Sequence, residues 1–533
     1  MRDASVGNND KIKKILIVGG GTSGWLTAGY LNSAFGDKIE VTLLESSTVT
    51  TIGVGEATIP TIKTTMEFIG YKPEEWLPEV NGTFKSAIKF SGWSDSTAKG
   101  KESYYYHTFY DRPESSAMPF DSPWFLGFGM NIPLYHYCLK KKFEGSDDQI
   151  ASYYNPLVQL CENNQSPCSH SDPSLNLKSA YHMDAGLMGK FLREKLTARG
   201  VINVVDHLVE VNKNEDGFIK SVSTKGGREI EADLFIDCSG FKGLLINEAM
   251  GAEFKSYNDS LLCNSAVAIS AKNNPEVDGI TPYTKATAIN SGWVWDIPLF
   301  NRNGCGYVYS NDFINSDGAE SELREFLGAR CNDMPANHIK MRVGKTITPW
   351  VKNCVAIGLS SCFIEPLEST GILLTELGVA SLISTFPDKS FCQGNIDRYN
   401  SIINKTYDEV KDFIILHYIL SKRDDTPFWR AVTNETVVPD SLKEKLEGFE
   451  SALPVFHELQ TDIFAASSYI QILDGYGATP KRPYPLLEQI GYEQGEIALR
   501  EAKKNIEFMI KNMPDHYEYI KELHNKAGLN KAA

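Results

Sequence analysis

Three glycines near the N-terminus have the spacing of a phosphate-binding turn. Gly19, Gly21 and Gly24 form G-x-G-x-x-G directly after the β-branched apolar run Ile15 to Val18. Such glycines allow a tight turn, close approach of the backbone to a pyrophosphate, and close packing of helix on strand. A helix that begins near Thr22 would also present unpaired N–H groups and a partial positive charge to the phosphates.

A carboxylate follows the glycines at the sequence separation that is typical of a ribose-binding residue. The second apolar run, Ile39 to Leu44, ends in Glu45, 21 residues beyond Gly24. A carboxylate at this point can accept hydrogen bonds from the ribose hydroxyls. Because the pattern stands in a full strand–helix–strand context, it predicts a dinucleotide site, and the short apolar runs predict buried parallel strands.

Composition narrows the class of protein. The chain has 533 residues and a net charge of −15 without any basic run, which argues against a nucleic-acid partner. It contains no stretch of 18 apolar residues and begins with the polar segment 1–14, so we expect no membrane span and no signal peptide. The ten cysteines never form C-x-x-C and predict reduced, mostly buried thiols in a cytoplasmic protein.

Later segments complete an α/β architecture. The apolar runs Leu234 to Ile236 and Val355 to Gly358 predict two further buried strands, and Gly292 to Ser310 predicts a second β layer. We therefore predict a two-nucleotide-half FAD-binding fold of the flavin monooxygenase type. The expected domains are 12–385, the FAD-binding domain with an inserted substrate and β layer, and 386–533, a helical subdomain that closes the substrate pocket.

Two lysines and an aromatic insertion are further candidates for function. The segment FKSAIKF carries Lys85 and Lys89 in a strand-like alternation, and if Phe84, Ala87 and Phe90 fill a core, one lysine faces inward. The sequence does not decide which. The long aromatic stretch 94–180 favours a binding cavity and a packed surface layer equally.

Seven motifs in chain order together resemble the flavin-dependent tryptophan halogenases. They are GGGTSGW at 19–25, GVGEATIP at 53–60, FKSAIKF at 84–90, DLFIDCSG at 233–240, GWVWDIP at 292–298, CFIEPLESTG at 362–371 and DDTPFW at 424–429. The resemblance implies that FADH2, supplied by a separate flavin reductase, reacts with oxygen and a halide, chloride or bromide, to form hypohalous acid. This oxidant then reaches a lysine beside tryptophan or a related indole, while the protein orients and isolates it. The expected cofactor-binding residues are Gly19, Gly21, Thr22, Gly24, Glu45, Gly55, Glu56, Ala57, Asp237 and Gly358.

The resemblance also implies two catalytic residues. Lys85 matches the family's catalytic lysine, whose ammonium can donate a hydrogen bond to hypohalous acid or whose neutral amine can become a haloamine. Glu368 matches a glutamate that can stabilise positive charge on the arene ring and remove the ring proton. Lys89 and Glu365 are the competing candidates for these two roles. The simpler interpretation of Lys89 is a solvated surface lysine, and that of Glu365 is a loop carboxylate.

A halide position and substrate walls follow in the same way. Thr370 and Gly371 match the halide position at a helix start, and Ser369 beside them is better interpreted as the N-cap of that helix. Residues of the expected indole site are His107 and Phe109, together with Phe464 and Tyr469. A satisfied loop histidine is an equally supported interpretation of His107.

The resemblance places the tryptophans of GWVWDIP near the flavin. Trp293 and Trp295 invite a redox or stacking role, and a buried aromatic pair is the simpler reading for either one alone.

Several alternatives stay open at the level of sequence. The C-terminal stretch 457–480 is compact, so free indole, another indole or a phenol are alternative substrates to tryptophan. A flavin-dependent aromatic hydroxylase and a non-catalytic flavin-binding protein are alternative functions. The pairs His170/Asp172 and His182/Asp184 each supply two-thirds of an iron-binding triad, and for these we favour no metal. A homodimer is one candidate assembly.

Overall fold

A computed structural model of the chain describes residues 10–47, 55–94, 103–109, 134–454, 459 and 463–532. Some predicted features lie outside these ranges: the N-terminal segment 1–9, Gly53, and residues 95–102 and 110–133 of the aromatic stretch. Residues 455–458 and 460–462 of the compact C-terminal stretch also lie outside them.

Strands occur from the first described residues to Phe363. They are β1 Lys14–Val18, β2 Glu40–Glu45, β3 Gly55–Ala57, β4 Thr83–Lys85, β5 Ala87–Ser91, β6 Tyr104–Thr108, β7 Ala180–Asp184, β8 Ile202–Val205, β9 Leu208–Lys213, β10 Ile219–Thr224, β11 Glu229–Glu231, β12 Leu234–Asp237, β13 Phe254–Ser256, β14 Ser265–Ala271, β15 Tyr283–Ile289, β16 Gly292–Pro298, β17 Asn303–Tyr309, β18 Ala336–Lys340, β19 Gly344–Thr346, β20 Trp350–Val351, β21 Cys354–Ala356 and β22 Cys362–Phe363.

Helices dominate after residue 370, where apolar residues recur at three- and four-residue spacing. The helices are α1 Thr22–Phe35, α2 Thr61–Ile69, α3 Pro73–Trp76, α4 Leu134–Phe143, α5 Pro156–Glu162, α6 Ala185–Thr197, α7 Pro275–Asp278, α8 Ser316–Leu327, α9 Gly371–Ser384, α10 Gln393–Ile419, α11 Pro427–Asn434, α12 Asp440–Ser451, α13 Ala466–Gly475, α14 Pro485–Ile490, α15 Glu493–Asn512 and α16 His516–Ala532. The protein is therefore a mixed α/β protein with several sheets and a helical C-terminal region.

The chain forms two compact units, each built from three separate segments. The first unit contains residues 1–82, 183–258 and 340–408, and the second contains 83–182, 259–339 and 409–533. The division into 12–385 and 386–533 remains a prediction from the sequence.

The first unit is organised around a six-stranded sheet of order β20-β21-β12-β1-β2-β8. All neighbouring pairs from β21 to β8 are parallel, and Val18 lies opposite both Leu44 and Asp237. The four strands predicted from apolar runs, β1, β2, β12 and β21, are therefore adjacent. Since parallel strands end at the same edge, the glycine turn, Glu45 and Gly358 all follow that edge.

The second unit contains a seven-stranded sheet of order β18-β14-β17-β16-β15-β5-β6. The hairpin of β16 and β17 pairs Trp293 with Val308 and Trp295 with Gly306, which confirms the predicted second β layer. Its core buries Val267, Val294 and Tyr307 against helix α8.

The segment FKSAIKF forms two strands instead of one. Strand β4 ends at Lys85 and pairs with β7, whereas β5 begins at Ala87 and joins the seven-stranded sheet. Phe84, Ala87 and Phe90 are buried, which meets the condition stated above for an inward lysine. The segment HMDAGLMGKFLREKL, from His182 to Leu196, has the sequence pattern of a helix. That prediction is wrong at its start, because His182 lies in β7 and helix α6 begins at Ala185.

Eight of the ten cysteines are buried, as the sequence predicts. Among the described residues, no helix is both long enough and apolar enough to cross a membrane.

Candidate active site

The glycine turn of the first unit is shaped by backbone packing. Gly19 has a φ of +123°, and a Cβ on it would lie 2.1 Å from the carbonyl oxygen of Cys238. A Cβ on Gly24 would lie 1.9 Å from the Gly19 carbonyl oxygen. Both positions therefore require glycine so that strand, turn and helix can pack together.

Gly21 differs from its neighbours, because a Cβ there would meet nothing within 4 Å. It is the N-cap of α1, and no side chain caps the helix that starts at Thr22. The uncapped N–H groups and the positive end of the helix dipole suit an anion at this point. The turn thus has the open face and the donor set that a pyrophosphate requires.

Glu45 lies directly against this turn. Gly20, which is not one of the three glycines of the G-x-G-x-x-G spacing, makes room for it, because a Cβ on Gly20 would lie 2.0 Å from Glu45 Oε2. Asn203 Nδ2 donates to Glu45 Oε1 at 2.9 Å and Trp25 Nε1 donates to Oε2 at 3.4 Å. A buried carboxylate held in this way suits the ribose hydroxyls of a dinucleotide.

Asp237 and Gly358 end the two strands on the other side of β1. The Asp237 carboxylate is fully buried, accepts backbone N–H groups of Ser239, Leu245 and Ile246 at 2.7–2.9 Å, and has a pKa raised by burial. Its described partners are thus backbone amides and the Ser239 side chain. Gly358 has a φ of +77°, and a Cβ there would lie 2.6 Å from Ser23 Oγ at the start of α1.

Part of the GVGEATIP motif is also in the first unit. Gly55, Glu56 and Ala57 form β3, and burial raises the pKa of the Glu56 carboxyl to about 7.

The CFIEPLESTG motif ends in a tight turn that leads into α9. Glu368 is 1% exposed and Glu365 0% exposed, so burial does not distinguish the two carboxylates. Ser369 adopts a left-handed φ of +59°. The N-cap of α9 is Thr370, without a side-chain cap hydrogen bond, so the interpretation of Ser369 as the N-cap was wrong. The uncapped start of α9 suits a halide.

Helix α9 packs beside the glycine turn. Ser23 Oγ lies 2.9 Å from Thr375 Oγ1, one turn into α9, and Thr61 Oγ1 donates to Glu376 Oε2 at 2.5 Å. The N-terminal parts of α1 and α9 are therefore neighbours within one unit.

Lys85, in the second unit, is wholly buried although lysine is almost never fully buried. Its Nζ lies 4.9 Å from the centroid of the Phe109 ring. The other lysine of the motif, Lys89, places its Nζ 3.7 Å from the ring centroid of Tyr104, which is 36% exposed. The structure thus identifies Lys85 as the inward lysine.

The predicted aromatic residues of the second unit meet around a residue that the sequence did not reveal. The Phe413 ring stacks on Phe464 at 3.7 Å between centroids, contacts Tyr469 edge-on at 5.0 Å, and lies 5.8 Å from His107. Phe109 stands two residues beyond His107, beside Lys85. The helical spacing of Phe413 in α10 resembles that of any core residue, so no local signal marks it.

The tryptophans of GWVWDIP are both buried, and their ring centroids lie 6.3 Å apart. The Trp295 Nε1–H has no hydrogen-bond partner among the described residues. The Trp295 ring packs closely on Gly306, where a Cβ would lie 2.2 Å from Trp295 Cζ2.

The side chains of the two H-x-D pairs contact other groups of the chain. His182 Nδ1 and Nε2 each lie 2.9 Å from a threonine hydroxyl, and Asp184 caps α6. His170 stacks on Tyr519, and Asp172 accepts the backbone N–H of Ser174. Within the described ranges, no three histidine, cysteine or acidic side chains are grouped to hold a metal.

The features of the two units together define a class of protein. The first unit has the parallel sheet, glycine turn and carboxylate of a dinucleotide-binding protein, and the second unit contains a buried lysine beside aromatic side chains. The family model described as tryptophan halogenase matches residues 14–492. The chain belongs to the tryptophan halogenase family.

Similar proteins match over nearly their whole lengths. Tryptophan 6-halogenase SttH of Streptomyces toxytricini is 38% identical over 521 residues, which cover 95% of this chain and 97% of the relative. Tryptophan 7-halogenase RebH of Lentzea aerocolonigenes is 36% identical over 548 residues, covering 97% and 99%.

Solved structures agree with the fold. The crystal structure of SttH superposes with a TM-score of 0.87 and covers 96% of this chain and 99% of SttH. BrvH, a flavin-dependent halogenase from Brevundimonas sp. BAL3, is 34% identical with a TM-score of 0.84, and the coverage is 96% and 99%.

Proposed function

We propose that this protein is a two-component, FADH2- and O2-dependent halogenase that transfers chlorine or bromine to the indole ring of tryptophan or a related indole. One observation carries the proposal within the family: Lys85, the lysine of FKSAIKF, is fully buried and faces the ring of Phe109. Removing an ammonium from water is costly, so the burial of this lysine favours a functional role.

The first unit fits a bound FAD. Gly19, Gly21, Thr22 and Gly24 would hold the pyrophosphate on the start of α1, with Glu45 on the ribose. Gly55, Glu56, Ala57, Asp237 and Gly358 complete the proposed set around the same sheet edge and the loops beyond it. The reduced flavin would be delivered by a separate reductase. With oxygen and halide it supplies the hypohalous acid that the remaining residues use.

Thr370 and Gly371 would hold the halide before it is oxidised. The N–H groups at the start of α9 lack a side-chain cap, and the helix dipole adds positive charge there. The contact of Ser23 with Thr375 fixes this helix start beside the start of α1. A halide at α9 would therefore be close to a flavin on the glycine turn.

Lys85 would present the oxidant to the substrate. Its buried Nζ can donate a hydrogen bond to the oxygen of hypohalous acid, or as a neutral amine it can carry the halogen as a haloamine. In either form the lysine keeps the electrophilic halogen in a fixed position. Fixed geometry is needed because free hypohalous acid would attack an indole at several ring positions.

Glu368 would complete the substitution. When the ring carbon bonds to the halogen, the halogen–oxygen bond breaks and the ring becomes positively charged. A buried carboxylate stabilises this charge and can accept the ring proton, while the hydroxyl oxygen leaves as water. The balance is one arene and one hypohalous acid to one haloarene and one water.

The aromatic side chains of the second unit would hold the indole. His107, Phe109, Phe464 and Tyr469 are the proposed contacts, and Phe413 joins three of them into one aromatic cluster. Flat apolar walls favour a planar substrate. The relatives SttH and RebH are named for tryptophan, at ring positions 6 and 7 respectively, which supports tryptophan as the substrate and leaves the position open for this chain.

The deciding experiment is a reconstituted reaction. The protein would be incubated with FAD, a flavin reductase, NADH, oxygen, tryptophan and either chloride or bromide, and the products examined by mass spectrometry. We expect halotryptophan with the isotope pattern of the halogen supplied, and NMR would then give the ring position. Cytoplasmic location would be examined separately by cell fractionation.

Two lysine variants make the experiment specific. Lys85→Ala should abolish the product, while Lys89→Ala, which removes a lysine stacked on Tyr104, should retain it. Product from indole or a phenol in place of tryptophan would keep the mechanism and change the substrate. Hydroxylated product, or a Lys85→Ala enzyme as active as the wild type, would refute the mechanism.

A further inference from the structure

The strand that carries Lys85 is short. Strand β4 has three residues, and Thr83, Phe84 and Lys85 lie opposite His182, Tyr181 and Ala180 of β7. A three-residue strand forms few backbone hydrogen bonds, so side-chain groups that bind it contribute to the position of the ammonium.

The first of these groups is His182, which is 0% exposed. Its Nδ1 lies 2.9 Å from Thr83 Oγ1, and its Nε2 lies 2.9 Å from Thr284 Oγ1. Thr83 Oγ1 donates its single proton to the carbonyl oxygen of Pro298 at 2.6 Å, because a carbonyl can only accept. Thr83 Oγ1 must then accept from His182, which places the proton of the neutral imidazole on Nδ1.

The direction of the whole chain of hydrogen bonds follows. Thr284 Oγ1–H donates to His182 Nε2, His182 Nδ1–H donates to Thr83 Oγ1, and Thr83 Oγ1–H donates to Pro298 O. Burial, the nearby Lys85 ammonium and His516 all lower the pKa of His182 well below its usual value, which agrees with a neutral ring.

The second group is His516, on the first turn of α16. The Phe84 backbone N–H donates to His516 Nε2 at 3.3 Å, so this nitrogen must be the acceptor. His516 Nδ1–H then donates to the carbonyl oxygen of Ile280 at 2.8 Å. If His516 were protonated, its Nε2–H would point at the Phe84 N–H, and the two donors would repel each other. Burial lowers the pKa of His516 to about 4, which agrees with a neutral ring.

We propose that His182 and His516 are positioning residues for Lys85: two neutral imidazoles, both protonated on Nδ1, hold the lysine-bearing strand through Thr83 and Phe84. Neither ring is assigned a role in the chemical step. Each imidazole forms a hydrogen bond to a residue within two positions of Lys85. Because both rings are neutral, neither places a second positive charge beside the Lys85 ammonium. This proposal rests on the function proposed above for Lys85.

The test separates oxidant formation from oxidant use. Hypohalous acid that escapes the protein is trapped with taurine as a haloamine, and the halotryptophan formed in the same reaction is measured beside it. We expect His182→Leu, which removes both hydrogen bonds, to lower kcat and the ratio of halotryptophan to trapped oxidant by roughly ten- to a hundredfold. The KM for tryptophan should stay near that of the wild type.

A conservative variant and a matched control make the result specific. His182→Asn retains an N–H donor close to the position of Nδ1, so it should recover most of the ratio that His182→Leu loses. His136→Leu removes another buried histidine, one that stacks on Tyr484, and should leave the ratio unchanged. A His182→Leu enzyme with the wild-type ratio, or one that Asn does not improve, would overturn the role of His182.

The histidine tautomers are tested without any turnover. In ¹⁵N-histidine-labelled wild-type protein at pH 7, the nitrogen shifts assigned through the His182→Asn and His516→Gln variants should show Nδ1–H and bare Nε2. An Nε2–H tautomer or an imidazolium at either residue would refute the network. A wild-type protein that makes neither haloarene nor trapped oxidant would instead refute the proposed function, and the tautomer measurement would still decide the network.

Discussion

The hydroxyl oxygens of Ser23 and Thr375 lie 2.9 Å apart, although 352 residues separate them in the chain. Ser23 stands in the first turn of α1, and Thr375 stands in the second turn of α9. One hydrogen bond thus connects the helix start that fits a flavin pyrophosphate with the helix whose start fits a halide.

This bond should be measurable as a coupling. Ser23→Ala and Thr375→Ala should each lower the free energy of unfolding by about 1 kcal/mol, and the double variant should lose less than the sum, because both changes remove the same hydrogen bond. Urea unfolding of the four proteins measures this. Strictly additive losses would show that the two hydroxyls do not interact.

Alanine substitutions of two nearby glycines should have different effects, one on folding and the other on FAD binding. Gly19→Ala places a Cβ 2.1 Å from the Cys238 carbonyl oxygen at a φ of +123°, so we expect little folded protein. Gly21 has a φ of −76° and open space, so Gly21→Ala should fold normally and bind FAD more weakly, because the methyl group occupies the pyrophosphate face. Circular dichroism and a fluorescence titration with FAD separate the two effects. Equal FAD affinity in Gly21→Ala would place the phosphates elsewhere.

The two buried carboxylates of the CFIEPLESTG motif should not be equivalent. Glu368→Gln keeps the shape of the side chain but removes its charge and its capacity to accept a proton, so kcat should fall by about 100-fold or more. Glu365→Gln serves as the matched comparison, with kcat near the wild-type value. Single-turnover formation of halotryptophan is the measurement, and the reverse order of the two variants would exchange the roles of the glutamates.

Phe413 should matter for substrate binding although no motif contains it. Phe413→Leu keeps an apolar side chain but removes the ring that contacts His107, Phe464 and Tyr469. Loss of an aromatic contact worth about 0.5–1.5 kcal/mol should raise the KM for tryptophan roughly two- to tenfold, with a smaller change in kcat. Steady-state kinetics decide this, and an unchanged KM would remove Phe413 from the indole site.

Stability should depend on pH through His516. Its pKa is lowered from 6.5 to about 4 in the folded protein, so between these values the unfolded chain binds more protons. The free energy of unfolding should therefore fall as the pH is lowered from 6.5 towards 4, by at most about 3 kcal/mol from this residue. His516→Gln should show a flatter profile over that window in urea unfolding at several pH values. Parallel profiles would mean that His516 is not buried as a neutral ring.

Local sequence patterns predicted the strands and turns whose conformation is set by residues close to them in the chain. The runs that became β1, β2, β12 and β21 are apolar throughout because both faces of a parallel sheet are covered, and that property can be read in a single strand. The spacing of Gly19, Gly21 and Gly24 predicted the turn for the same reason, since φ and close approach are local demands. His182 was misplaced in a helix because a strand end and a helix start adjoin at Asp184 and Ala185.

Motifs whose residue types and order match identified the family from the sequence, and this resemblance implied the chemistry expected of Lys85 and Glu368. Tertiary structure alone decided that Lys85 faces inward while Lys89 stacks on Tyr104, because β4 and β5 belong to different sheets. It also decided the contact of Ser23 with Thr375 and the aromatic cluster around Phe413. Such contacts join residues far apart in the chain, and burial there depends on partners that no local pattern encodes.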